Sequence, residues 1–329
     1  MKLVFTAFLC IFFASSYSKS VNDTISEEDA KRHIYYLASD KLRGRVNFTN
    51  EQLAAAIYIS KEFNSYGLQP LPPFKCFYQP FLSVSGYSLP AFSACDTLSD
   101  SVLYNIVGLI PGKSNPDEII IFSAHYDHVE KGLMGQTGEI YNGANDDASG
   151  TTAVLMLAQY FAMRHDNERT IMFCLFAGEE LGLLGSHAFV NRISADKVKA
   201  VINIEMIGKK NWAGKNSFVV TGSEYSDLKV ILKKNLQTEN VKVRSDRLDQ
   251  TYLFMRSDNY SFAKKGIPAH SIMCSDDSEP CYHKPCDDAE RIDIENMTTI
   301  IKAIAKGCST LISGKDTPRR IKLYPILIF

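Results

Sequence analysis

Apolar runs and amphipathic stretches alternate along this chain at spacings that predict most of its elements. Ser26, followed by Glu27, Glu28 and Asp29 and then by apolar residues at helical intervals, marks a helix start. Residues 50–66 carry Leu53, Ala56, Ile57, Ile59 and Phe63 on one side and end at Gly67, which predicts a second helix. Residues 71–103, rich in Pro, Ser and aromatics, are too few to bury a core of their own and read as an irregular strand-and-loop segment. The β-type run 105–110 stops at Pro111-Gly112, and the apolar strand 119–122 follows. Residues 149–164 form a helix with Val154, Leu157, Ala158 and Phe161 in register, and 169–177 is a continuous apolar strand. Strand, helix, strand is the parallel crossover unit. Beyond it the pattern predicts helices at 183–193, 226–237, 258–265 and 294–312 and strands at 198–207, 217–220 and 269–273. This alternation implies one α/β sandwich with a mostly parallel central sheet.

Composition agrees with a globular chain of that class. With 329 residues, 45% of them hydrophobic, it can bury a full core. A net charge of -1 provides no electrostatic footprint for nucleic acid or an anionic membrane. Met1-Lys2, an apolar run to Phe13 and the small residues to Ser18 read as a secretory signal cut near Ser18, with residues 19–329 as a single catalytic domain. Cys10 lies inside the apolar run, which argues against lipoprotein anchoring. The expected location is therefore exported, periplasmic or extracellular, with no transmembrane helix in the mature chain. The remaining cysteines are Cys76, Cys95, Cys174, Cys274, Cys281, Cys286 and Cys308, an odd number that leaves at least one thiol free in an oxidising compartment. Cys174 sits in an apolar run and is assigned to packing. Asn22, Asn47, Asn259 and Asn296 head glycosylation tripeptides. The tail from Arg319 to Phe329 is basic and then apolar, too short to span a bilayer, and its role stays open.

Chemistry concentrates where predicted strands end. The 119–122 strand runs into His125-Tyr126-Asp127-His128, and Asp146-Asp147 opens the next helix. Glu179-Glu180 ends another strand, Glu205 lies near the end of a third, and His283 sits in the loop after the last. An Asp pair alone reads as a helix cap, and a Glu pair alone as a solvated turn. Several acids ending apolar strands at one sheet edge are costly to bury unless paired or metal-bound. Two imidazoles and three carboxylates can hold two divalent ions if one carboxylate bridges them. A His and carboxylate set without cysteine favours zinc, with manganese or cobalt as substitutes. Adjacent residues in an extended segment point opposite ways, so one of Glu179 and Glu180 can ligate while the other reaches the activated water. Asp127, two residues after His125, suits an acceptor that fixes the imidazole tautomer.

At these residues the sequence resembles the secreted two-zinc aminopeptidases, the metallopeptidase family that includes bacterial leucyl aminopeptidases, glutamate carboxypeptidase II and the glutaminyl cyclases. The resemblance runs through Leu37-Ala38-Ser39-Asp40, Gly44-Arg45, His125-Tyr126-Asp127, the segment from Asn145 to Gly150, the segment from Ala177 to Gly182, Asn203 to Gly208, and Cys281-Tyr282-His283. It implies a three-layer zinc-peptidase sandwich with a mixed, mostly parallel sheet. It also implies that one zinc takes His125, Asp146 and Glu205, and the other takes Asp146, Glu180 and His283. In the same way Glu179 resembles the general base, Asp127 the partner of His125, and Tyr282 a phenol that stabilises the oxyanion. Family members often carry aspartate where this chain has Glu205. Cys281 and Cys286 resemble a loop disulfide of secreted members, and Cys76–Cys95 is a second expected pair. The implied reaction is removal of the N-terminal residue from peptides with a free N-terminus by zinc-activated water. Met206, beside Glu205, could contribute to an apolar pocket favouring Leu, Met or Phe. The competing readings are a one-zinc glutaminyl cyclase, which would usually show a single acid where this chain has Asp146-Asp147, and a binding ectodomain without catalysis.

Overall fold

Strands built almost wholly of Ile, Val, Leu and Phe have to be covered on both faces, and the helices of this chain do that. The computed structural model describes residues 25–81, 95, 98–130 and 138–323. Its elements are α1 (Glu27–Leu37), α2 (Asn50–Ser65), β1 (Gln69–Pro70), β2 (Tyr78–Phe81), β3 (Leu103–Ile110), β4 (Asn115–His125), α3 (Ser149–Arg164), β5 (Arg169–Phe176), α4 (Leu184–Val190), β6 (Val198–Glu205), β7 (Ser217–Val220), α5 (Leu228–Asn235), β8 (Lys242–Ser245), α6 (Asn259–Ala263), β9 (Ala269–Met273), α7 (Ile294–Gly307) and α8 (Ser309–Ile312). The strands form one sheet in the order β1-β3-β5-β4-β6-β9-β7-β8, with β2 also paired to β3. The centre, β5-β4-β6-β9, is parallel, whereas β3 meets β5 and β7 meets β9 antiparallel. The sheet is therefore mixed and mostly parallel, as the sequence pattern predicts.

Side chains alternate across this sheet and divide the core in two. Ile120, Phe122 and Ala124 of β4 join Ile171, Phe173 and Leu175 of β5 on the face covered by α1, α2, α3, α5 and α7. Ile121, Met172, Cys174 and Phe176 point the other way, toward Phe189 of α4 and Phe262 of α6. Strand β4, helix α3 and strand β5 form the expected crossover, because β4 and β5 are parallel neighbours.

Several expected boundaries shift for identifiable reasons. The 294–312 helix is two helices meeting at Cys308. The 183–193 and 226–237 helices shorten to α4 and α5. Strand β8, Lys-Val-Arg-Ser at the sheet edge, has no apolar signature because only its pairing with β7 makes it a strand. Asp146-Asp147 does not open α3 as a regular turn. Residues Ala144–Ala148 form an irregular wide turn in which Asp146 is extended (φ -111°, ψ 99°), the Asp146–Asp147 peptide is cis, and α3 begins at Ser149.

The structure joins Cys76 with Cys95 and Cys281 with Cys286. Cys174, Cys274 and Cys308 are free and buried. Asn259 and Asn296 are also buried, and the half-buried Asn47 donates to Asp127. Asn22 and the 1–18 leader lie outside the described residues. Of the tail, Ile321 is buried and Arg320 donates to the carbonyls of Ala195 and Val198, while residues 324–329 lie outside the description. Among the described residues no helix is long and apolar enough to cross a membrane.

Candidate metal centre

Ligands in open α/β sheets bind beyond the carboxyl ends of the strands, and this sheet brings its acids and histidines to that edge. His125 ends β4, Glu179 and Glu180 follow β5, Glu205 ends β6, and His283 lies in the loop after β9. They line one cavity of ≈ 480 Å³ together with Asp146, Met206, Leu253, Met273 and Tyr282. Each side chain named from the sequence as a ligand thus reaches the same place.

Asp146 organises the geometry by turning its two oxygens to opposite sides. Oδ1 lies 3.2 Å from His125 Nε2, which is itself 3.2 Å from Glu205 Oε1. Oδ2 lies 3.0 Å from His283 Nε2, which is 3.1 Å from Glu180 Oε1. Two donor clusters result, His125-Asp146-Glu205 and His128-Asp146-Glu180-His283, with Asp146 common to both. Oxygen and nitrogen donors held this close without cysteine fit a pair of divalent cations bridged by one carboxylate, with zinc the favoured ion.

The charge balance points the same way. Burial would lift the carboxyl of Asp146, yet the imidazoles of His125 and His283 hold it well below the usual range. Against burial and the neighbouring Asp146, His128 and His283 bring Glu180 down to about 2. Burial would lower His283, but Asp146 and Glu180 lift it to about 10. So much negative charge in a recessed site calls for cations, and a metal takes the place of these protons when it binds.

Other side chains set the ligands in place. The carboxylate of Asp127 accepts from Asn47 Nδ2 (2.7 Å) and from the main-chain N–H groups of Glu179 (3.2 Å) and Glu180 (3.3 Å). It therefore fixes the Glu-Glu turn. This corrects the expectation that it holds the imidazole of His125. Nδ1 of His125 lies 3.1 Å from the main-chain oxygen of Asp127 and 3.8 Å from its carboxylate, because the chain turns there and aims the side chain at the neighbouring strand end. Asp147 points inward and accepts from Gly150 N (2.9 Å) and Met206 N (3.0 Å), so of the Asp pair one residue faces the centre and the other ties α3 to β6. Ser257 donates to Glu205 Oε2 at 2.6 Å and in turn accepts from Asn203.

Burial raises the carboxyl of Glu179 well above its ordinary value, and Glu180 and Glu205 add to that against the pull of His125. Burial and the nearby carboxylates Asp146 and Glu180 also push the Tyr282 phenol upward, so it stays a donor. Tyr282 stacks on His283 with ring centroids 3.9 Å apart. It also packs beside Met206, Leu253 and Met273, which form a small apolar cluster.

Comparison with known proteins places the chain in a family. The chain belongs to Peptidase family M28. The match covers residues 105–307, from β3 to the end of α7. Aminopeptidase YwaD of Bacillus subtilis is 28% identical over 227 residues, 66% of this chain and 47% of the relative. The chain spans between about a fifth and about half of the length of the curated relatives it matches. Among solved structures, LapA aminopeptidase of Legionella pneumophila superposes with a TM-score of 0.66 at 22% identity, covering 91% of this chain and 77% of that one. A glutaminyl cyclase of Bacteroides thetaiotaomicron superposes with a TM-score of 0.67 at 17% identity, covering 89% and 99%. These likenesses establish the fold.

Within this M28 chain, three contributors were given no role by the sequence reading, although Arg45 stands in one of the motifs of the resemblance. His128 belongs to the same His-Tyr-Asp-His run as His125, but nothing in its spacing distinguishes it from a loop residue. Arg45, fully buried, donates to the carbonyls of Leu37, Tyr126, Asn142 and Gly143. Asp287 accepts from Asn145 N and Asp146 N at 3.0–3.1 Å. Apart from Leu37, their partners lie far away in sequence, so neither role leaves a local signal.

Proposed function

We propose that this chain is an exported two-metal aminopeptidase that hydrolyses the N-terminal peptide bond of peptides with a free N-terminus. The observation that carries the reading is Asp146, whose two oxygens face two separate donor clusters in one cavity. His125, Asp146 and Glu205 would hold one zinc, and Asp146, Glu180 and His283 the other. When bound, such a pair polarises the scissile carbonyl and brings the pKa of a coordinated water to about 7.

Glu179 lines the same cavity without belonging to either cluster, which leaves its carboxylate available as the proton acceptor. Its carboxylate takes the proton of the attacking water and delivers it to the leaving amine nitrogen. Asp127 holds the Glu179 main chain in place for this transfer. The Tyr282 hydroxyl donates to the oxygen that gains charge as the tetrahedral centre forms. Met206, Leu253 and Met273 give the cavity an apolar wall, which favours Leu, Met or Phe at the N-terminus. The two disulfides accord with an oxidising compartment.

A glutaminyl cyclase needs one zinc, so the shared Asp146 favours the hydrolase. The test pairs leucyl and glutaminyl peptides, each with a free and an acetylated N-terminus, with and without a chelator. Release of leucine only from the free peptide, abolished by chelation, supports the reading. Pyroglutamate formation, or hydrolysis indifferent to chelator, overturns it.

A further inference from the structure

His128 is not among the ligands that the motif resemblance supplies, yet it is placed as one. Its ring is buried, 1% exposed, and neither ring nitrogen finds a hydrogen-bond partner among the described residues. Nδ1 lies 3.2 Å from Glu180 Oε1 and 3.8 Å from Asp146 Oδ2. The main chain of Gly143 packs against the ring so closely that a Cβ there would sit 2.6 Å from His128 Cγ, and the ring meets His283 edge-on at 5.5 Å. Its orientation is therefore fixed by packing.

Three of the four donor atoms in this cluster, His128 Nδ1, Glu180 Oε1 and His283 Nε2, are buried and make no hydrogen bond. They stand 3.1–3.2 Å apart where distances join them, close enough for a hydrogen bond but misdirected for one. Donors that crowd together without pointing at each other are aimed at a common centre. Four ligands at zinc bond lengths of about 2.0–2.1 Å form a tetrahedron with edges of roughly 3.3 Å. Four of the six edges are 3.0, 3.1, 3.2 and 3.8 Å. In the other cluster His125 Nε2 does hydrogen-bond to Glu205 Oε1, and three residues supply the donors.

We infer that His128 is a direct ligand of the cation held by Asp146, Glu180 and His283, so that the two metal sites are unlike. One is closed by four side chains, and the other has three and keeps an open position. Closed four-coordinate sites are the structural kind and open ones the kind that admits water or substrate. The closed site should fill first and empty last, which makes the His125-Asp146-Glu205 ion the exchangeable one. This inference rests on the two-metal reading of the centre.

The test is a zinc titration of the metal-free full chain against a chromophoric chelator, for the wild type and for His128→Ala, His128→Asn, His283→Ala and Glu205→Ala. Circular dichroism of each metal-free protein checks the fold. Loss of a supporting partner around a metal site costs about 10- to 100-fold in affinity. The inference therefore expects His128→Ala and His128→Asn to weaken the tighter ion by more than ~100-fold, the same ion that His283→Ala weakens. A smaller loss, or a loss shared with Glu205→Ala, overturns it. Should the variants fail to fold, X-ray absorption of wild-type protein loaded with one equivalent of zinc decides. Two imidazoles on that zinc support the assignment and one refutes it. A wild type that binds fewer than two ions instead removes the two-metal reading itself.

Discussion

Replacing Arg45 by methionine tests whether one buried guanidinium holds the centre together. Arg45 Nε donates to Tyr126 O at 2.8 Å, Nη1 to Leu37 O and Asn142 O at 2.7 Å each, and Nη2 to Gly143 O at 3.0 Å. Tyr126 lies between His125 and Asp127, and Asn142-Gly143 leads into Asp146. The side chain therefore joins the two segments that carry His125 and Asp146. In Arg45→Met the Gly143 carbonyl keeps the N–H of Ala148, so the main loss falls on the carbonyls of Leu37, Tyr126 and Asn142. A buried acceptor left unsatisfied costs about 1–3 kcal/mol, or roughly 3–9 kcal/mol for three. Removing a buried charge that had to be desolvated returns several kcal/mol of that. A net loss of about 4 kcal/mol is expected, which for a domain of about 300 residues lowers the Tm by roughly 6 °C. The assay is thermal unfolding of metal-free protein by circular dichroism, with zinc stoichiometry measured on the folded variant. Arg45→Lys keeps the charge but not the planar fork and should fall between the two. If Arg45→Met melts within about 2 °C of wild type and binds zinc unchanged, the clamp contributes nothing and the reasoning fails.

Glu179→Gln should retain both metal ions while kcat falls by about 10²–10⁴-fold, the usual contribution of a positioned proton acceptor; turnover within about threefold of wild type would exclude it from that role. Chelation should lower the Tm, and zinc at about 100 times its Kd should restore about 2.7 kcal/mol per site, read as a concentration-dependent Tm. Leu253→Asp at the apolar wall should slow leucyl substrates at least about tenfold relative to lysyl ones, whereas an unchanged ratio places the side-chain pocket elsewhere. His270, buried between Ser226 and Thr221, is pushed down to about 4 by burial. Because the unfolded chain takes up that proton first, the folded state loses stability as pH falls from about 6.5 to about 4, by about 3 kcal/mol in all. His270→Gln should flatten that part of the stability curve, and denaturant unfolding at pH 7 and pH 4.5 measures it.

Much of the centre was written into the chain's local pattern. Apolar runs such as 119–122 and 169–177 can only be buried strands, and a polar residue that ends such a run must lie at the sheet edge. His125, Glu179, Glu180 and Glu205 were legible for that reason, and the motifs around them carried the resemblance that placed Asp146 and His283. What the local pattern does not contain is direction. Whether Asp146 or Asp147 faces the cavity depends on the irregular turn at Ala144–Ala148, and that turn is held by Asp287, whose carboxylate lies more than a hundred residues further along the chain. The same holds for Asp127, whose carboxylate turned out to grip the Glu179-Glu180 turn, and for Arg45, whose partners come from three separate places. His128 reaches the donor cluster with the main chain of Gly143 packed against its ring, a contact that no local pattern contains. The strands, and the residues at their ends, follow from short-range hydrophobic periodicity. The aim of each side chain follows from long-range hydrogen bonds and packing, which exist only once the sheet has assembled.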